Sequence, residues 1–204
     1  HYLHRRQRQM CIRDREASAA LAAGNAVIIK PSQYTSLTTL LFAEAFKALP
    51  DGLFQVVTGE AAAGKSLVEH KDTHMVAFTG SVPVGVSIAS KCGELMKRSL
   101  IENSGNDPFI VMPSAPMDIT ARAAAFSAYM NCGQICVSAE RFFVHEKIHD
   151  EFVEKLIEET KKIRVGNGLD KVDMGPIVSS KERDRYENVL HKALDEGAKA
   201  VEGG

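Results

Sequence analysis

Three short stretches combine residue types that could do chemistry. The first is Asn131-Cys132-Gly133-Gln134-Ile135-Cys136. Backbone N–H groups of a turn built from small and polar residues can stabilise a thiolate, and a thiolate is a nucleophile. On these residues alone a buried, inert cysteine is an equal reading. The second is Gly59-Glu60-Ala61-Ala62-Ala63-Gly64-Lys65-Ser66, which fits the phosphate-loop pattern G-x-x-x-x-G-K-S between a predicted strand and a predicted helix. Phosphate chemistry there also needs an acid ending another apolar strand, to hold Mg²⁺. The strand over residues 74–78 ends in Thr79-Gly80-Ser81 and supplies none, which favours an ordinary helix start. The third is His145-Glu146-Lys147-Ile148-His149, the letters of a zinc-protease helix. That chemistry needs both rings on one helix face. Here the motif straddles a predicted strand–helix junction, so boundary histidines are expected and no metal site. Cys132 and Cys136 form a weak metal pair, because no second pair accompanies them.

The elements that must position these residues alternate. Strands are expected at residues 26–30, 53–57, 75–78 and 97–102, with helices at 36–49, 61–69 and 84–92. Beyond the turn formers of residues 103–108 come strands at 109–112 and 141–144 and helices at 118–129 and 149–162. Such alternation predicts an α/β fold with a mostly parallel sheet. Ligands of such sheets bind at the carboxyl ends of the strands. Those ends carry Lys30, Thr58-Gly59, Thr79-Gly80-Ser81 and Glu102.

Composition narrows the classes further. The chain has 204 residues, 45% of them apolar, and a formal net charge of −1. That charge argues against nucleic-acid and membrane-surface partners. No apolar run reaches the roughly 18 residues of a membrane span, and no signal peptide is read. Four cysteines without a disulfide-framework spacing point to a reducing, cytoplasmic setting. Residues 1–15, rich in arginine and without an apolar pattern, are set aside as a leader foreign to the fold.

Read together, four stretches resemble the aldehyde dehydrogenase superfamily. They are residues 21–32 (Leu21 through Lys30-Pro31-Ser32), then Val76-Ala77-Phe78-Thr79-Gly80-Ser81 with Gly85, then Glu102 ahead of Gly105, then Gly133-Gln134-Ile135-Cys136. Each alone is weak; four in order at fitting intervals are specific. The resemblance covers residues 17–204 and implies a partial Rossmann-like cofactor domain over 16–104 and the start of an α/β catalytic domain over 105–204.

The resemblance also implies roles. Cys136 would attack an aldehyde carbon, and Glu102 would activate the water that hydrolyses the resulting thioester. A carboxylate ending a buried strand would suit that base. The Cys136 backbone N–H would help to hold the oxyanion. The cofactor would be NAD or NADP. Lys30 would bond the adenosine ribose, Gly80 and Ser81 would meet the pyrophosphate at a helix N-terminus, and Val84 would pack on the adenine side. Gly59 and Asn103 belong to the same cofactor set. Gln33 stands where NAD-specific members carry a glutamate; a neutral residue removes the repulsion of a 2′-phosphate, and Ser32 could bond one. Ser104 replaces a family glycine near the nicotinamide, which would loosen the cofactor. Family members are longer than this chain, so residues 1–204 alone are expected to be inactive, and the whole protein a homo-oligomer. Alternatives are a coenzyme A-acylating enzyme and a non-catalytic homologue; a semialdehyde is the substrate class weakly favoured.

Overall fold

Turn formers and caps cut the chain into short elements. A computed structural model describes residues 16–203, so the set-aside leader lies outside the described residues. Two compact units divide the chain between Ser104 and Gly105.

In the first unit, α1 (Ser18–Ala22) ends at Gly24, whose φ of +81° closes the turn. The amide of Asn25 donates to Ala20 O at 3.0 Å and that of Gly24 to Leu21 O at 2.9 Å, a Schellman ending that explains the Gly-Asn pair. β1 (Val27–Ile29) then pairs in parallel with β2 (Phe54–Val56). Their crossover is α2 (Ser36–Ala43). The predicted helix over 36–49 is shorter than expected; it tightens into a 3₁₀ turn at Glu44–Phe46 ahead of Pro50. The rings of Phe46 and Phe54 stack at 4.2 Å, with Phe42 edge-on to Phe46.

α3 (Ala61–Glu69) follows β2, and Lys97 closes its end. The Lys97 ammonium donates to Val68 O at 2.7 Å and His70 O at 2.6 Å, satisfying carbonyls that a helix end leaves open. β3 (Met75–Gly80) pairs in parallel with β4 (Arg98–Asn103) through α4 (Val82–Glu94). Gly85 is buried because α4 packs flush on β4: a Cβ there would lie 2.9 Å from Ile101 and 2.3 Å from the Asn103 amide oxygen. β4 departs from expectation. Among the described residues it pairs with β3 alone, and all of it but Ile101 is exposed, Glu102 included.

In the second unit, β5 (Asp107–Val111) pairs in parallel with β6 (Ala139–Val144). β5 begins inside the predicted boundary turn, and its register shifts between Asp107 and Pro108, where a proline without an N–H is tolerated. The crossover α5 (Met117–Tyr129) turns Ala121, Ala124 and Ala125 inward. Small residues let it approach α6 (His149–Lys161), and Phe152 of α6 is buried with Val111 and Ala124 in the core.

α7 (Ser180–Asp195) was not among the expected elements. The Ser179 hydroxyl accepts from the Glu182 amide at 3.3 Å, and the Ser-x-x-Glu spelling marks a capping box. None of its residues is buried, although Tyr186, Val189, Leu190, Ala193 and Leu194 recur at helical spacing. Parallel pairs joined by helices make both units α/β, as the alternation predicts.

Candidate functional site

The nucleophile candidate follows the end of α5. Asn131, Cys132 and Gly133 all take positive φ, at +54°, +59° and +66°. Two non-glycine residues in that region cost roughly 1–2 kcal/mol each. Hydrogen bonds hold them there. Gln134 Nε2 donates to Asn131 O at 3.0 Å, and Asn131 Nδ2 donates back to Gln134 O at 3.3 Å. Gln134 Oε1 accepts from the Val178 amide at 3.1 Å, and the Cys132 thiol donates to Gly175 O at 2.9 Å. The strained turn is therefore pinned from residues 175–178.

This geometry separates the two cysteines. Cys132 is partly buried and donates its S–H to a carbonyl, and burial pushes its thiol above the ordinary range. Cys136, in the turn before β6, is exposed and accessible to a small electrophile. Its carbonyl oxygen lies 3.2 Å from where a Cβ on Gly105 would stand. Ser138, two residues on, is 2% exposed, and its hydroxyl has no partner among the described residues. Sequence reasoning missed Ser138 and the 175–178 support, because neither carries a motif.

The first unit holds all of the cofactor candidates. Lys30 follows β1 and donates to Pro31 O at 2.8 Å and to Gly59 O at 3.1 Å, so these two candidates meet. The third ammonium proton remains for an acceptor such as a ribose hydroxyl. Gly59 has φ +149°, and a Cβ there would meet Ala63 at 2.8 Å. Ser32 and Gln33 are exposed at a 3₁₀ turn, where the Ser32 hydroxyl accepts from the Tyr34 amide at 3.4 Å.

Gly80 ends β3 and Ser81 is the N-cap of α4. The Ser81 side chain makes no capping bond, and Pro83 brings no N–H, so the amides of Val82 and Val84 are the donors of that first turn. A 13-residue helix presents its positive end there, which suits a pyrophosphate. Val84 is exposed. The Asn103 amide oxygen lies 2.3 Å from where a Cβ on Gly85 would stand, where α4 packs on β4. The Ser104 amide donates to Gly80 O at 3.1 Å, extending the β3–β4 ladder.

Glu102 is the register partner of Thr79. The Thr79 hydroxyl donates to Glu16 Oε1 at 3.1 Å, so a second carboxyl joins this end of the ladder. Sequence reasoning missed Glu16, which precedes the matching stretches and lies 63 residues from Thr79.

Neither decoy gains support. The helix α3 already begins at Ala61, so Gly64-Lys65-Ser66 lies within it and no phosphate-wrapping loop precedes the lysine. Lys65 instead faces Glu69 at 3.9 Å across an exposed helical turn. His145 caps a 3₁₀ turn, its Nδ1 accepting from the Lys147 amide at 3.2 Å. His149 begins α6, and its ring bonds Asp150 at 2.9 Å. Among the described residues no three His, Cys, Asp or Glu side chains could hold a metal ion, and no helix is long and apolar enough to cross a membrane.

Residues 10–204 match the aldehyde dehydrogenase family, so the match begins within the set-aside leader. A betaine aldehyde dehydrogenase of Brucella ovis is 41% identical over 192 residues, covering 93% of this chain and 39% of its own length. The chain thus spans about two fifths of that relative. An NADP-dependent enzyme of E. coli superposes with a TM-score of 0.89 at 37% identity, over 93% of this chain and 40% of the other. A betaine aldehyde dehydrogenase from Staphylococcus aureus, solved with NAD⁺, superposes with a TM-score of 0.87 at 31% identity, over 92% and 38%. The α/β architecture is therefore part of a Rossmann-like aldehyde dehydrogenase fold, and the chain belongs to the aldehyde dehydrogenase family.

Proposed function

We propose that the whole protein oxidises an aldehyde to a carboxylic acid with NAD⁺ or NADP⁺, with Cys136 as nucleophile and Glu102 as base. In this assignment residues 16–104 serve the cofactor and residues 105–204 carry the nucleophile. The observation that carries it is the Cys136 thiol: exposed, and two residues beyond the pinned Asn131–Gln134 turn in a chain of this family.

The Cys136 thiolate adds to the aldehyde carbon, and the Cys136 N–H helps to hold the oxyanion. When bound, the nicotinamide coenzyme accepts the hydride. A thioester remains on Cys136. Glu102 takes a proton from water, the oxygen adds to the thioester carbon, and the carbon–sulfur bond breaks. Lys30, Gly59, Gly80 and Ser81 hold the coenzyme, and the exposed Gln33 and Ser32 leave room for a 2′-phosphate. A water-activating acid at the end of β4 favours hydrolysis over acyl transfer to coenzyme A.

The test is NAD(P)H absorbance with a panel of aldehydes, including semialdehydes, using the whole protein and Cys136→Ala. Reduction that disappears in the variant supports the reading. No reduction by the folded parent protein with either coenzyme overturns it. Residues 1–204 alone, spanning 39% of the Brucella ovis relative, should produce no NAD(P)H.

A further inference from the structure

The turn that precedes Cys136 is held from residues 175–178, and that segment belongs to no helix or strand. Its Gly175 carbonyl accepts from the Cys132 thiol at 2.9 Å, and its Val178 amide donates to Gln134 Oε1 at 3.1 Å. The segment therefore needs an anchor of its own. Just before it stands Asp173, whose carboxylate gathers three hydrogen bonds from one residue. Arg164 gives its Nε–H at 2.9 Å, its Nη2–H at 3.1 Å and its backbone N–H at 3.0 Å. The Asp173 and Met174 amides donate back to Arg164 O at 2.9 and 3.1 Å, and the Gly166 amide donates to Met174 O at 3.1 Å. This clasp closes residues 165–172, which form no helix. A Cβ on Gly175 would stand 3.7 Å from Gly168 Cα, so the closed loop folds back onto the segment it supports. Arg164 is the third residue beyond α6, and α6 packs on α5, which runs into the strained turn. The supports make a closed circuit: α5, the turn, Gly175, Asp173, Arg164, α6 and back to α5. An exposed ion pair alone adds little to stability, but a fork onto one carboxylate that also takes the backbone amide fixes geometry.

We propose that Arg164 and Asp173 are positioning residues for the nucleophile, clasping the segment that holds the Asn131–Gln134 turn two residues ahead of Cys136. The inference rests on Cys136 being the nucleophile. Neither side chain takes part in a bond that forms or breaks; the clasp limits how far the turn can move as the thiolate meets the aldehyde carbon.

The clasp is tested in the whole protein with Arg164→Ala. The kcat should fall by about three- to tenfold, because a small displacement of a nucleophile slows attack. The KM for coenzyme should hold, since the coenzyme candidates all lie before Gly105. Iodoacetamide should label Cys132 about threefold faster, because its thiol loses the carbonyl that occupies it when the segment opens. A pair that only stabilised the fold would lower the melting temperature and move neither kcat nor labelling. Adding Arg164→Ala to Gln134→Ala should cost less kcat than adding it to the parent, as both act through one turn, and strict additivity overturns the inference. Should Arg164→Ala fail to fold, Asp173→Asn keeps an acceptor for the Arg164 amide and should move kcat and Cys132 labelling in the same directions. Either readout unmoved in a folded variant, from a parent whose activity is lost in Cys136→Ala, overturns this inference and leaves the proposed function standing. A folded parent that oxidises no aldehyde overturns both.

Discussion

The carbonyl oxygen of Cys136 stands 3.2 Å from the place a Cβ would occupy on Gly105. The Asp107 carboxylate lies closer still to that place, at 2.8 Å. Gly105 thus lets two strand ends of the second unit close on the turn that presents the thiol. Gly105→Ala would swing the flexible Asp107 side chain aside, but the Cys136 backbone would also have to give. The expected cost is about 1–3 kcal/mol of stability. Misplacing a nucleophile costs more, so kcat should fall by about tenfold or more. Thermal melting beside NAD(P)H production checks this; full activity at parent stability would contradict it.

Gly85→Ala tests the seat of α4. Its Cβ would lie 2.3 Å from Asn103 Oδ1 and 2.9 Å from Ile101 Cγ2. Overpacking of this kind costs about 1–3 kcal/mol. Asn103→Ala in the same chain should recover part of the loss, because the amide is the nearer obstacle. A double-mutant cycle by denaturant melting should therefore show coupling between the two positions. Strict additivity would mean that Ile101 alone sets the approach.

The three cysteines described should alkylate in a set order. Cys136 is exposed, Cys132 is partly buried with its thiol pushed up, and Cys92 is fully buried and also pushed up, by desolvation first. A raised thiol holds less thiolate at pH 8, and thiolate is what iodoacetamide attacks. Mass spectrometry over time should find Cys136 modified first and Cys92 last. Cys132 labelled ahead of Cys136 would transfer the nucleophile role to it.

Gln134→Ala removes the side chain that both accepts from Val178 and donates to Asn131. The strained φ angles of Asn131 and Cys132 would lose their support. Stability should drop by about 1–3 kcal/mol, and kcat should fall further than the melting shift alone explains. Unchanged turnover would show that the turn holds its shape without the glutamine.

Coenzyme choice is tested at Gln33, an exposed residue three positions after Lys30. Gln33→Glu brings a negative charge toward any 2′-phosphate. The ratio of kcat/KM for NADP⁺ over NAD⁺ should fall by about tenfold. An unmoved ratio would place the phosphate elsewhere.

The amino-acid sequence determined the elements whose cause is local. Residues 61–69 read as a helix and form one with those bounds. The Gly24-Asn25 pair ends α1, and strand and helix alternate from residue 26 onward because periodicity and turn chemistry act over a few residues. The run from Asn131 to Cys136 was legible as a turn between a helix and a strand. The rest depended on groups far apart in the chain. Glu102 was expected to end a buried strand, yet exposure depends on which neighbours lie beside it, and among the described residues β4 pairs with β3 alone. The hydrogen bond that occupies the Cys132 thiol comes from a carbonyl 43 residues away, at Gly175. The company of Glu102 follows from a hydrogen bond spanning 63 residues, between Thr79 and Glu16. Hydrophobic pattern and capping specify a chain's own turns and faces; which distant carboxyl or carbonyl meets a given side chain is decided when the elements pack.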